Sequence, residues 1–306
     1  MSSLKTILRD FTAAQGGGDG MYLTPLHRVI VMRTSKGVLP QHAQPILYAP
    51  ALCIVVQGAK QMTVGSDVFD YEERTALVVS VELPAVGRVT QATPEAPYLG
   101  ITIEFDPNLM HEVLEQLETA PKPRSEERLG VFVERLSDQA HDCITRIAAL
   151  LNTPDAIPVL YPAAVRELYY WLLTGPNGAE IAKIARRDSH TRRISDAICF
   201  LRKNLTRQVR VEEMAQVARM SPSSFHQHFK TITALTPLQF RKELRLLEAR
   251  RLMVAQSATV TSAAYQVGYE SLSQFSREYT RMFGASPKRD SAAMRQHIVA
   301  TKAPSF

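Results

Sequence analysis

The 306-residue sequence has few cysteines and no long apolar run. Its three cysteines, Cys53, Cys143 and Cys199, lie far apart without a C-x-x-C pair, which argues against a disulfide framework and a zinc module. No run of about 18 apolar residues occurs, and the N-terminal segment lacks the apolar stretch of a signal peptide. We therefore expect a soluble, cytoplasmic protein without a membrane partner.

Sequence signatures of catalysis are also missing. The chain has no G-x-S-x-G, H-R-D or G-x-G-x-x-G motif. A metal-dependent cupin site needs an H-x-H with a nearby Glu and a further His, whereas His27 and His42 are isolated in the strand region. The pair His226 and His228 falls in a predicted helix, where residues i and i+2 diverge. We therefore predict no catalytic residue, no metal site and no cofactor.

What the chain does have is an uneven distribution of charge. Hydrophobic residues make up 45% and charged residues 22%, which excludes a disordered chain, and the length suits two domains. Residues 1–185 contain 15 Lys and Arg against 21 Asp and Glu, whereas residues 186–306 contain 21 against 9. A basic domain is typical of a protein that binds a polyanion, although a solvated surface gives the same charge.

The N-terminal half reads as strands followed by helices. Between Val29 and Phe105, short apolar runs separated by turn residues predict about seven strands in a small barrel or sandwich. Helical periodicity then appears at 109–117 and 136–151, and a third helix is expected from Pro162 to Thr174. A short helix at 179–187 and a polar joint at 188–191 lead to the basic half.

The basic half repeats itself at an offset of 50 residues. Ser221 matches Ser271, and Pro237 matches Pro287. Each copy predicts a helix, a tight turn and a second helix capped by serine, at about 211–230 and 260–283. One such unit could be a simple helical hairpin, but two in register indicate tandem helix-turn-helix units. Their predicted core residues are Ala215, Phe225, Phe229, Ala264, Gly268, Phe275 and Tyr279.

The opposite face of each second helix is polar and free of carboxylates in its first two turns. Such side chains suit base edges and phosphates. The predicted outward-facing residues are Ser223, Ser224, His226, Gln227 and Lys230 in the first unit and Ser273, Gln274, Arg277, Thr280 and Arg281 in the second, with Lys230 and Arg281 as the predicted phosphate contacts.

A long helix predicted at Pro237–Ala255 joins the two units. Its length of roughly 28 Å, with the flanking turns, would set the two polar helices about one duplex turn apart, ~34 Å. A leading helix at residues 190–205 covers the first unit. In the first unit's turn, Arg219 stands where the second unit has Gly268, and a left-handed arginine there costs roughly 1–2 kcal/mol.

These residues resemble the DNA-binding domain of AraC-type transcription regulators, through MSPSSFHQHFKTITALTPLQF, LRLLEARRLM and VGYESLSQFSREYTRMFGASPKRD. The resemblance implies that both units enter adjacent major grooves. It also implies that the base-facing residues are Ser223, His226, Gln227, Ser273, Gln274 and Arg277. Ala234, where the family usually has Gly, and Arg219 depart from its pattern. The N-terminal half is similar to the sensor domain of the AraC_N subgroup, through LYAPALCIVVQGAKQMTVG, VVSVELPAVGRVTQATPEAPYLGITIEFD and LYPAAVRELYYWLLTGPNG, which implies a cupin-like barrel that binds an effector or dimerises.

We therefore expect an α+β protein with a sensor domain at 1–185 and a DNA-binding domain at 186–306. The expected partners are promoter DNA, RNA polymerase, an unidentified small-molecule effector and a second copy of the chain. By resemblance, the regulator would be an activator, located in the bacterial cytoplasm at the nucleoid. The alternatives are a metal-dependent cupin enzyme fused to a nucleic-acid-binding domain and a regulator whose barrel only dimerises.

Two features of the predicted barrel allow more than one interpretation. Cys53 could react with an electrophilic effector, but a free cysteine in an apolar strand more often packs as a small hydrophobic residue. Four tyrosines could line a ligand cavity or fill the core: Tyr22, Tyr48, Tyr71 and Tyr98.

Overall fold

The computed structural model describes residues 3–37, 43–122 and 127–302, with side chains described as far as Arg295. The N-terminal half contains antiparallel sheets and the C-terminal half is helical, which confirms the predicted α+β class. The described strands are β1 (Gly20–Leu23), β2 (Val29–Thr34), β3 (Pro45–Tyr48), β4 (Ala51–Gln57), β5 (Ala59–Val64), β6 (Asp67–Glu72), β7 (Thr75–Val79), β8 (Leu83–Gln91), β9 (Tyr98–Glu104) and β10 (Val131–Arg135).

The strands form two sheets. One has six strands in the order β1-β2-β9-β4-β7-β10, and the other has four in the order β3-β8-β5-β6. Sequence predicted only about seven strands because β1, β3 and β10 are four or five residues long and lie at sheet edges. In addition, the run from Ala76 to Leu83 divides between β7 and β8.

Both faces of the inner strands β4, β7 and β9 of the six-stranded sheet are largely buried, which explains their continuous apolar runs. In β4, Leu52 and Ile54 pack toward the helices, whereas Cys53 and Val55 face the interior between the sheets. This alternation follows from the two-residue period of a strand. The helices on the outer face are α1 (Leu4–Ala14), α2 (Pro107–Glu115), α3 (Asp138–Ala149), α4 (Ile157–Leu173) and α5 (Gly178–Ala185).

Helix α4 begins at Ile157, so the predicted start at Pro162 is wrong. Pro158 occupies the first turn, where a missing N–H costs no helical hydrogen bond, and Pro162 lies inside the helix. The predicted end before Gly175 and Pro176 is confirmed.

The C-terminal half consists of helices. They are α6 (His190–Lys203), α7 (Val211–Val217), α8 (Pro222–Thr233), α9 (Pro237–Ala255), α10 (Val260–Gln266), α11 (Leu272–Phe283) and α12 (Pro287–Lys302). The polar joint expected at 188–191 is partly wrong, because Ser189 caps α6 by accepting from the Arg192 N–H and the helix begins at His190. No helix within the described ranges is both long and apolar enough to cross a membrane.

The two halves share a hydrophobic core. Residues of the sheet interior, such as Met62 and Val64, belong to the same buried cluster as Phe225 and Phe229 of α8. The residues of α10 and α11 form a separate cluster with the C-terminal part of α9. The first helical hairpin is therefore packed onto the N-terminal half, whereas the second has a core of its own.

Candidate nucleic-acid interface

Helices α7 and α8 form one helix-turn-helix unit, and α10 and α11 form the second. Ser221 caps α8 by accepting a hydrogen bond from the Ser224 N–H at 3.3 Å, and Ser271 caps α11 through the Gln274 N–H, also at 3.3 Å. Each cap serine also contacts the serine two residues on, Ser223 at 3.3 Å and Ser273 at 2.9 Å. The repeat in the sequence is thus a repeat in local geometry.

One face of each second helix is buried. Phe225 and Phe229 of α8 have no exposed surface, and neither do Phe275 and Tyr279 of α11. Ala215 and Ala264 on the preceding helices are buried as well, and their small size lets the helices approach closely. Gly268 is only partly buried, because it lies in the turn between α10 and α11.

The other face is exposed. The exposed residues include Ser223, His226, Gln227, Lys230, Ser273, Gln274, Arg277 and Arg281. Among the residues that the structure describes, Lys230, Arg277 and Arg281 form no ion pair, whereas Arg250 and Arg251 nearby do. Both units therefore present unpaired cations and hydrogen-bonding groups to solvent.

Glu278, a partly buried carboxylate on α11, has local partners. Its Oε2 accepts from the Tyr269 hydroxyl at 2.8 Å, and its Oε1 lies 3.4 Å from the Lys242 ammonium. Burial acts to raise the pKa of Glu278, but hydrogen bonds from Tyr269 and Gln274 and the charge of Lys242 outweigh it and lower the pKa. The Glu278 carboxylate is therefore ionised, but its charge is compensated by these partners, which limits repulsion of an approaching phosphate.

The turns of the two units differ in residue type at the same backbone geometry. After the first helix, φ is +54° at Arg219 and +83° at Gly268. After the second helix, φ is +61° at Ala234 and +74° at Gly284. The first unit therefore holds two non-glycine residues in the left-handed region, as its departures from the family pattern suggested.

The cores of the two units also differ at equivalent positions. In the second, buried Asp290 of α12 accepts from Arg250 at 2.9 and 3.0 Å and from the Tyr279 hydroxyl at 2.7 Å. Fifty residues earlier these positions hold Phe240, Phe200 and Phe229. Phe229 and Phe240 pack edge to face with ring centroids 5.3 Å apart.

The C-terminal end of α8 is attached to the N-terminal half by the backbone. The Gly130 N–H donates to the Ile232 carbonyl at 2.8 Å, and the Gly130 carbonyl accepts from Ser80. A Cβ at Gly65 would lie 2.9 Å from that of Ala234, so the β5–β6 turn meets the α8 terminus closely. Arg202 of α6 adds an ion pair to Glu82 at 2.6 Å.

Three titratable side chains meet at the same joint. His190 Nδ1 lies 3.0 Å from Glu127 Oε1, and the rings of His190 and His228 are 3.7 Å apart. Burial lowers the pKa of His228 and the neighbouring His190 lowers it further, against an opposing contribution from Glu127. No sequence pattern predicts that these residues meet, because they come from three distant parts of the chain.

Between the sheets, a lysine that sequence analysis missed lies among aromatic rings. Lys60 Nζ is 5.8 Å from the Tyr48 ring centroid and 6.0 Å from that of Tyr98. Burial raises the pKa of Tyr48 and raises the pKa of Tyr98 to about 12, so both hydroxyls are protonated at neutral pH. Tyr22 belongs to the other core, so the four tyrosines do not line one cavity.

Cys53 lies in this interior and is buried. Burial raises the pKa of its thiol, which keeps it protonated and poorly nucleophilic. His27, the histidine of the strand region that the structure describes, is exposed and accepts from Arg28. His42 lies outside the described residues.

A cavity of about 630 Å³ separates β3 from α9. Its apolar lining includes Leu47, Leu244 and Leu247, and its charged lining consists of Arg202, Glu248, Arg250 and Arg251. This volume lies within the ~300–1,000 Å³ typical of small-molecule sites.

Two protein families match the chain. Residues 25–180, more than half of the sequence, match the family described as AraC-type transcriptional regulator N-terminus, and residues 214–292 match a helix-turn-helix domain. Among curated proteins, the chain is 22% identical over 274 residues to the virulence regulon transcriptional activator VirF of Yersinia enterocolitica, a match that covers 88% of this chain and 93% of VirF.

Other relatives match only in part. The regulator YobQ of Bacillus subtilis is 26% identical over 30% of this chain and 38% of its own length. RclR of Escherichia coli, an RCS-specific transcriptional activator, is 36% identical over 28% of this chain and 30% of RclR. The fold as a whole is similar to apo ToxT of Vibrio cholerae, with a TM-score of 0.57, 10% identity and coverage of 90% of this chain and 99% of that one. ToxT has also been solved with a methylnaphthalenyl butenoic acid bound.

Proposed function

The chain belongs to the AraC-type transcriptional regulators, and from that membership we propose that its two helix-turn-helix units bind promoter DNA sequence-specifically under the control of a small-molecule effector. One observation carries the proposal. Helices α8 and α11 expose the same polar face at a repeat of 50 residues, and the 19-residue helix α9 links the two units. A monomer of this geometry places one helix in each of two successive major grooves.

The two exposed faces carry different side chains at the position that we expect to discriminate most strongly between bases. Gln227 of α8 corresponds to Arg277 of α11. Glutamine pairs with adenine through two hydrogen bonds, whereas arginine pairs with guanine O6 and N7. We therefore propose an operator with an adenine beneath α8 and a guanine beneath α11, with Ser223, His226, Ser273 and Gln274 contacting the adjacent bases.

The unpaired cations at the ends of these helices suit the DNA backbone. Lys230 follows Gln227 by one turn, and Arg281 follows Arg277 in the same way. Each phosphate contact contributes affinity without sequence preference and adds about one unit to the salt slope. We assign Lys230 and Arg281 to phosphates.

The test starts from an operator selected with the full-length protein from random duplexes. Arg277→Ala should weaken binding by about 5- to 150-fold, which corresponds to about 1–3 kcal/mol, and should relax the preference for guanine beneath α11 alone. Lys230→Ala should weaken binding to all sequences and lower the salt slope by about one unit. Arg9→Ala, an exposed change on α1, is the control. An unchanged base preference in the Arg277 variant would contradict the assignment.

The domain boundary that we propose lies between residues 185 and 186. Helix α5 ends at Ala185, and the excess of basic residues begins at Arg186. Residues 1–185 then form the sensor domain and residues 186–306 the DNA-binding domain. The extensive core shared by the sheets and the first unit supports direct control of DNA binding by the sensor domain.

For the effector, we propose an acidic molecule with an apolar body, bound in the cavity between β3 and α9. Leucines supply the apolar lining, and Arg202 and Arg251 could donate hydrogen bonds to a carboxylate in addition to those with their partners Glu82 and Glu248. The butenoic acid bound to ToxT belongs to the same chemical class.

Leu47→Trp should fill the cavity, whereas Val68→Trp, on an exposed part of β6, is the control. Aromatic and aliphatic carboxylic acids should be screened by thermal shift on the full-length protein. A ligand at 100 times its Kd stabilises a protein by about 2.7 kcal/mol, so the unmodified protein and the control should gain that amount and the filled variant should not. Equal stabilisation of all three would place the ligand elsewhere.

We further propose that the regulator activates transcription by contacting RNA polymerase at the nucleoid, in the cytoplasm, and that it forms homodimers. The relatives named above are transcriptional activators or regulators, which supports a protein without catalytic activity. The metal-dependent cupin alternative receives no support from His27, which is exposed and bonded to Arg28. Deletion of the gene should lower transcript levels beside the bound sites.

A further inference from the structure

Three side chains that commonly bind metal ions meet where the two halves of the chain join. Glu127 precedes β10, His190 begins α6 and His228 lies on α8. One potential ligand atom from each lies within 4.8 Å of the other two. We propose that Glu127, His190 and His228 bind one divalent transition-metal ion, with zinc as the best fit. The ion would attach α8 to the N-terminal half.

The donor set suits zinc. Zinc binds imidazole nitrogen at about 2.0–2.1 Å and carboxylate oxygen at about 2.0–2.2 Å, and three protein ligands leave a position for water. Two ligand atoms on one ion lie at most about 4 Å apart by these bond lengths. Because the ligand atoms lie within 4.8 Å of one another, metal binding requires side-chain rotations that bring them closer by up to about 1 Å. Both imidazoles are only partly buried, which leaves room for such rotations.

The hydrogen bonds of this cluster do not satisfy all of its polar atoms. Glu127 Oε1 is paired with His190, but Glu127 Oε2 is buried without a hydrogen-bond partner among the described residues. In the part of the chain that the structure describes, the His228 ring has no hydrogen-bond partner and stacks on the ring of His190. A buried carboxylate oxygen without a partner is costly, and a cation between the three side chains would satisfy it.

Because the cluster lies between α8 and the N-terminal half, a bound ion would affect the position of α8. His228 is on the inner side of α8, one residue after Gln227 and two after His226, which are exposed. An ion held there would fix the orientation of α8 relative to the sheets. This consequence for DNA reading depends on the function proposed above, whereas the binding of the ion does not.

The experiment measures metal binding by the full-length protein, without DNA. Protein stripped with a chelator is titrated with zinc in competition with a chromophoric chelator. We expect one zinc ion per chain and a loss of affinity of more than about tenfold in His190→Ala and in His228→Ala, since even second-shell changes cost ~10- to 100-fold. His226→Ala removes an exposed histidine from the same helix and should bind zinc like the unmodified protein.

Glu127→Gln is a conservative variant that distinguishes loss of a metal ligand from misfolding, because it keeps the size of the side chain and removes only its charge. It should retain the circular dichroism spectrum and lose affinity for zinc. Zinc should also raise the melting temperature of the unmodified protein and of the His226 variant, but not of the His190 variant. Equal zinc affinity in the His228 variant and the unmodified protein, or an equal loss in the His226 variant, would overturn the proposal. Neither result bears on DNA binding, so the function proposed above would stand.

Discussion

In the first helix-turn-helix unit, Phe229 packs edge to face against Phe240, whereas the second unit has Tyr279 and Asp290 at these positions, joined by a hydrogen bond of 2.7 Å. Asp290 also pairs with buried Arg250. At these equivalent positions, one unit therefore has a pair of packed aromatic rings and the other has a buried ion pair, while both cores contain further aromatic contacts. Removal of either partner of a buried ion pair leaves an uncompensated charge and is strongly destabilising. An apolar core instead loses stability in proportion to the volume removed.

The two units also differ in their relation to the N-terminal half. The core of the first is continuous with the sheet interior, and its α8 terminus accepts a hydrogen bond from Gly130. The core of the second is separate. The two units therefore differ in how they are attached. Helix α8 shares its core and its C-terminal end with the N-terminal half, whereas the second unit contacts that half through α9, where Arg250 donates a hydrogen bond to Gln44.

The largest effect expected from this comparison comes from breaking the buried ion pair. Asp290→Ala leaves the Arg250 charge without its partner and should lower the free energy of unfolding of the second unit by about 3–5 kcal/mol. Asp196→Ala removes the exposed partner of Arg192 on α6 and should cost under about 1 kcal/mol. Urea unfolding followed by circular dichroism measures both. Equal losses would show that the ion pair does not hold the second core.

A smaller effect is expected from adding a methyl group to the turns of the second unit. Gly268→Ala should cost more than the roughly 1–2 kcal/mol of a left-handed alanine, because its Cβ would lie 2.8 Å from the Thr206 carbonyl oxygen. At Gly284 the Cβ meets open space, so Gly284→Ala isolates the cost of the backbone conformation. The difference between the two melting temperatures measures the clash. A larger loss in the Gly284 variant would contradict the geometry.

The smallest effect is a gain. Arg219→Gly relieves a left-handed arginine with an exposed side chain and should stabilise the first unit by up to about 1 kcal/mol, after the greater freedom of glycine in the unfolded chain is subtracted. Gln216→Gly, three residues earlier on the exposed side of α7, should instead destabilise by roughly 0.8–1.0 kcal/mol. If both changes destabilise equally, Arg219 carries no strain.

Much of the fold could be predicted from local patterns. The connecting helix agrees with the prediction from Pro237 to Ala255, because proline at its start and a continuous run of helix formers mark it locally. The resemblance to AraC-type regulators is confirmed by the family match over residues 25–180, and a helix-turn-helix domain matches residues 214–292. The positive φ at Arg219 and Ala234 could be anticipated because the repeat aligns Arg219 with Gly268 and Ala234 with Gly284.

What could not be predicted depends on contacts between distant residues. Arg250 pairs with Asp290, and Lys60 lies between rings from two other strands. Neither arrangement has a periodic signal in the sequence. The edge strands were missed because four or five residues are too few to establish an alternating pattern. The roles in DNA binding of the exposed residues on α8 and α11 remain predictions.

The most direct test of the account varies the spacing between the two half-sites of the selected operator. Because α9 fixes the distance between α8 and α11, inserting about five base pairs, half a helical turn, should place the second half-site on the opposite side of the duplex. The full-length protein should then bind this operator no more tightly than it binds a single half-site. An insertion of about ten base pairs returns the second half-site to the same side of the duplex but moves it too far away, so a monomer should still not regain its original affinity. Undiminished affinity at all spacings would contradict two units held rigidly in successive grooves.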